Sequence, residues 1–144
     1  EGGFNMITDI TKRKVALFIK DMYTKANIGN GGNATSPNAT DLDVPILTTK
    51  QTTTNTESDD TTIDFAVSFS GSSLQGNTVR EIAFFSDTMP DDDQFDDLRT
   101  STIYTTNQVG GVAVDVMLAR INFDAIGPVT SSDTLDFTFT MEVE

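Results

Sequence analysis

The stretch PDDDQFDD, Pro90 to Asp97, places five aspartates in eight residues. Carboxylates at that density can gather a calcium ion, supply an acid and a base for hydrolysis, or keep a loop hydrated. Calcium takes six to eight oxygens in flexible geometry, and Asp91, Asp93, Asp96 and Asp97 would be the donors. The spacing is not that of an EF-hand. Counting from Asp91, the sixth position holds Asp96 where the loop needs glycine, and the twelfth holds Thr102 where it needs a bidentate glutamate. A carboxylate pair for catalysis needs one acid raised in a dry pocket, and a crowd of neighbouring acids marks a wet surface. The solvated loop is the favoured reading, with calcium the candidate ligand and no catalytic residue assigned.

The rest of the composition narrows the chemistry further. Neither His nor Cys occurs in the 144 residues. That removes the commonest general base, thiolate metal sites, and every Ser-His or Cys-His nucleophile. No enzyme activity and no cofactor other than calcium are therefore expected. The net charge of −13 comes from 22 acids, 17 of them Asp, against 9 basic residues. Such a chain repels nucleic acid, since Lys12-Arg13-Lys14 alone makes no phosphate-binding face. An Asp-rich shell also suits a halophilic setting, where it stays hydrated in high salt. No run approaches the roughly 20 apolar residues of a membrane helix, and EGGFNMITDITKRK has no leader-like apolar core. Asn33-Ala-Thr35 and Asn38-Ala-Thr40 are two N-glycosylation triplets in one loop, making Asn33 and Asn38 modification candidates.

The elements that would position these residues follow from periodicity. One helix is expected at about 7–26, N-capped by Thr8 or Asp9, with Ile7, Ile10, Leu17, Phe18 and Met22, joined by Val15 and Ala16, on its apolar side. Residues 27–43 are turn-forming almost throughout and read as a long loop. From about residue 44 the period becomes two. Ile63, Phe65, Val67 and Phe69 alternate with polar residues, as do Leu135, Phe137, Phe139, Met141 and Val143. Val112 to Leu118 alternates likewise, and Val79 to Phe85 is more fully apolar. Shorter strands are expected at 44–50, 103–106 and 121–125. Phe84 and Phe85 would face opposite sides of one strand, implying burial on both faces, under the helix or at a subunit contact. Arg80 and Glu81 lie within that strand, so one should point outward and the other pair locally, and Arg120 reads as a strand-edge or interface charge. Strands with one apolar face each need a second layer. The expected fold is a single mainly-β domain over 1–144, an antiparallel sandwich of jelly-roll or immunoglobulin-like type with one N-terminal helix and an acidic insertion at about 86–111.

Three segments, in order, resemble a family of small tailed-virus virion proteins of the tail-fibre or tail structural kind. They are the N-terminal helix with Ile28-Gly29-Asn30-Gly31, Ala34 and Leu42, then the Thr61–Ser70 strand leading into Thr78-Val79-Arg80-Glu81-Ile82-Ala83-Phe84-Phe85, then Met117-Leu118-Ala119-Arg120-Ile121-Asn122-Phe123, followed by Val129, the Ser131-Ser132-Asp133 turn and the last alternating strand. The chain departs from the family pattern where Ala83 stands for the usual glycine. Its first turn is longer, and some thirty residues from Ser86 to Val116 replace a short hairpin. The resemblance implies a virion location and a building block of a fibre, baseplate or capsid-surface turret, spike or decoration. Its partners would be other virion proteins and copies of itself, with a trimer favoured over a five- or six-fold ring, and a host receptor where the part is exposed. The alternative is a host-surface or carbohydrate-binding sandwich module assisted by calcium, although two Tyr and no Trp offer little aromatic platform for a sugar.

Overall fold

In the computed structural model, residues 7–36, 39, 41–86, 108–109, 112–113 and 117–144 are described, the two short pairs by backbone alone. Thr8 caps the first helix, accepting the Thr11 N–H at its hydroxyl, and α1 runs Asp9–Met22. It stops short of the expected 26 because the chain gains more by changing partner. Asn55 donates its side-chain amide to the Lys20 and Tyr23 carbonyls, which fills the acceptors a helix end leaves open. Lys25–Gly29 then becomes β1, burying Ala26 and Ile28. The expected loop therefore begins only after Gly29.

Two antiparallel sheets follow. β2 (Gln51–Thr52), β1, β5 (Val79–Phe85) and β8 (Met117–Ile126) form sheet A in that order. β3 (Thr54–Asp59), β4 (Thr62–Ser70) and β9 (Thr134–Glu142) form sheet B. A one-turn helix α2 (Gly71–Leu74) leaves β4, and the backbone of β6 (Gln108–Val109) pairs with β7 (Val112–Ala113) within the insertion. The fold is the mainly-β sandwich with an N-terminal helix that alternation predicts. Of the expected 44–50 strand, only a bridge from Pro45 to Gly29 forms, and pairing starts at Gln51. The 103–106 strand, and residues 114–116 of the Val112–Leu118 strand, lie outside the described residues.

The two sheets meet over aromatic side chains. Phe84 of sheet A stacks on Phe139 at 5.2 Å between centroids and tilts against Phe65 at 5.8 Å, both from sheet B. Phe69, Ile63, Val79, Ile82 and Leu74 fill the space around them. A register shift between Val79 and Glu81 lets Val79 and Ile82 both face this core while Glu81 turns to the other side. That other side is buried too, as Phe84-Phe85 implies. Phe85 packs with Leu42, Ala83 and Met117, and the Lys50 ammonium sits 4.6 Å above its ring. The cover is the 30–44 loop and the start of β8, not the helix.

The helix lies against β3 and β4, where Arg13 forms a two-point contact with Glu57 at 3.2 and 3.3 Å. Its buried stripe matches the expected one only in part, at Ala16 and Met22. Ala16, Ile19 and Tyr23 pack on the core, Leu17 is half-buried outside it, and Ile7 and Ile10 are exposed. The helix begins beyond the reach of the sandwich, so its first apolar residues meet water.

Candidate functional site

The most unusual arrangement is a carboxylate enclosed on the outer face of sheet A. Glu81 is fully buried and receives four donors. Its Oε2 accepts the Gly31 and Val44 N–H groups, each at 2.8 Å, and its Oε1 accepts the Asp43 N–H at 3.0 Å and Arg120 Nε at 2.7 Å. Arg120, 8% exposed, passes its Nη2 on to the Asn33 carbonyl at 2.8 Å, and Asn122 donates to the same carbonyl. The 30–44 loop is thereby tied to β5 and β8 by one central charge.

The glycines explain how backbone comes so close. A Cβ on Gly29 would collide with Glu81 Oε2 and the Val44 carbonyl, and one on Gly31 would lie 2.6 Å from Glu81 Oε2 and run into Asp43. Only a residue without a side chain lets the chain wrap the carboxylate at these positions. Ile28-Gly29-x-Gly31, the Glu of β5 and the Arg of β8 are thus parts of one device. Each comes from one of the three segments that carry the family resemblance.

Burial by itself would raise the Glu81 carboxyl. The N–H groups of Val44 and Asp43, the Arg120 guanidinium and the Gly31 N–H outweigh it and hold the group below the ordinary carboxylate range. With its lone pairs occupied and its proton affinity lowered, it is a poor general base and a worse acid. The cluster's chemistry is architectural: it fixes a long polar loop over an apolar sheet face. An open cleft of about 370 Å³ lies beside it, between Thr35, Ser36 and Ala39 of the loop and Met117–Arg120 of β8.

The Arg80–Glu81 expectation holds only in part. Arg80 does point outward, donating to Asn30 Oδ1 at 2.7 Å. Glu81, however, finds its partner 39 residues away, and Arg120, although it lies on the end strand β8 as expected, is a buried tie. The overlooked signal was a Glu inside a strand apolar on both faces, which must find an opposite charge or several N–H donors. Asp91, Asp93, Asp96 and Asp97 lie outside the described residues, as does Asn38. Asn33 is exposed on the loop, and the side-chain nitrogen that glycosylation would modify donates to Asp43 Oδ2 at 2.9 Å. Among the described residues no group of acids is arranged to hold a metal ion, and no helix is long and apolar enough to cross a membrane. Compared with known proteins, the chain matches no family model and no curated sequence.

Proposed function

We propose that this chain is a structural building block of a tailed-virus particle, a sandwich that assembles with copies of itself into a fibre, baseplate or capsid-surface part. One observation carries the reading. The three segments that resemble the tail structural proteins are far apart in sequence and meet in a single buried cluster, Gly29, Gly31, Glu81 and Arg120. In this chain the three segments thus form one three-dimensional device, which supports reading them as a unit and not as scattered short matches. The chemistry of that device agrees, because a saturated, low-pKa carboxylate holds a loop in place and leaves nothing to react.

Mass in solution tests this directly. Light scattering at high micromolar concentration in 1 M NaCl should give a multimer whose mass is unchanged by EDTA, since salt at that level reduces the screening length to about 3 Å and quiets the repulsion of −13 per copy. A clean monomer would overturn self-assembly. A monomer that changes state only with calcium would favour the surface-binding module instead.

A further inference from the structure

We propose that β9 is the contact through which copies join, pairing antiparallel with β9 of a second copy about a two-fold axis at Thr138. The inference rests on the self-assembly reading above and names its surface. β9 ends sheet B. β4 covers one side of it in unbroken register from Thr62–Glu142 to Ser70–Thr134, and no described strand pairs with the other. Alternate residues of the nine, Thr134, Asp136, Thr138, Thr140 and Glu142, turn their N–H and C=O groups to this edge, where no described residue pairs with them. Edge strands commonly carry a Lys, a Pro, a bulge or very short length to prevent pairing. The other sheet ends show such devices: β2 has two residues, and β3 and β8 each contain a register shift. Thr134–Glu142 has none of them.

The sequence of this edge is nearly symmetric. Pairing about Thr138 places Phe137 opposite Phe139 and Leu135 opposite Met141 on the core side, with Asp136 opposite Thr140 and Thr134 opposite Glu142 on the outer side. No acid meets an acid, although each copy carries −13. Centring the pair on Asp136 would oppose two aspartates, on Phe139 would oppose Asp136 to Glu142, and on Thr140 would oppose Asp136 to Glu144. Centring on Phe137 avoids these clashes but leaves Met141 and Glu142 outside the β9 overlap. The Thr138 register uses the whole strand, and like charges directly opposite are what a sheet must avoid.

The core-facing residues supply the apolar contribution. Leu135, Phe137, Phe139 and Met141 pack on the core yet remain half-buried, because the sandwich ends beside them, as does Phe123 of β8 at 5.5 Å from Phe137. On the outer face Asp136 accepts from Ser68, and Thr140 donates to Asp64 at 2.8 Å, so both side chains lean inward over β4 and leave the edge clear. A second β9 would extend the sheet across both copies and close over the half-exposed rings. Because the contact is self-complementary, it closes at two copies, and any higher symmetry needs a second surface.

The absence of cysteine makes the test clean. Thr138 is exposed, so Thr138→Cys introduces a lone thiol without disturbing the core. Across an antiparallel pair the two copies of this residue would lie about 4.5–5.5 Å apart at Cα, within disulfide reach. Under mild oxidation in 1 M NaCl, Thr138→Cys should give a disulfide-linked dimer at least about tenfold more abundant than Thr134→Cys, whose thiol would face Glu142 of the second copy. Dimer yields that are equal for the two variants, or absent for Thr138→Cys, overturn the pairing. If the parent protein is nonetheless multimeric by scattering, self-assembly stands and uses another surface. If the parent is a monomer as well, both inferences fall.

Discussion

Glu81→Gln, nearly the same shape, should destabilise the protein by about 3–5 kcal/mol, the range for breaking a buried ion pair by altering one partner. Four donors converge on the carboxylate, two per oxygen. An amide replaces one acceptor oxygen with a donor, so two incoming N–H groups face an NH₂ in a site closed to water. The melting temperature should fall by roughly 10 °C. The pH dependence gives a second readout. Because the folded protein holds Glu81 below the ordinary 4.5, its stabilising contribution is complete above that pH and disappears as pH falls through the lowered value. The gap between parent and variant should hold from pH 7 to about 5 and narrow below 4.5, the other acids being common to both proteins. A gap under 1 kcal/mol at pH 7, or one that widens in acid, would show that Glu81 is not the tie between loop and sheet.

Phe84→Ala should cost a similar amount, about 3–5 kcal/mol in urea unfolding, for a different reason. Phe84, next to the last residue of β5, is fully buried and touches Phe65 and Phe139 of the opposite sheet. Truncation removes the ring that bridges the layers and leaves a cavity in a close-packed region. Phe123→Ala, at the half-buried margin, should cost clearly less. Equal losses at the two positions would contradict an aromatic core centred on β5.

The residues most legible in the sequence were those with one face in the core. β4, β5 and β9 fall within a residue of their expected limits because strict alternation, or an unbroken apolar run, leaves no other face to bury. β3 was hidden because Thr54–Asp59 has no apolar face at all. It holds its place by pairing with β4, by Asn55 capping α1 and by Glu57 meeting Arg13. β1 straddles the boundary between the expected helix, ending at 26, and the expected loop, starting at 27, since Lys25–Gly29 is too short for either period to show, and only pairing with β5 decides its state. The ionic cluster was legible as parts but not as a whole. Its glycines, Glu81 and Arg120 were each visible, and their meeting depends on three segments crossing one sheet face, which local pattern cannot encode.

The proposed role as a virion component is tested most directly on purified virus particles. Gradient-purified virions, analysed by mass spectrometry and labelled with antibody raised against the purified chain, should contain it in several copies and show label at one defined place, on the tail or on the capsid surface. Recovery of the chain from the infected-cell lysate, with none in the purified particles, would contradict the account.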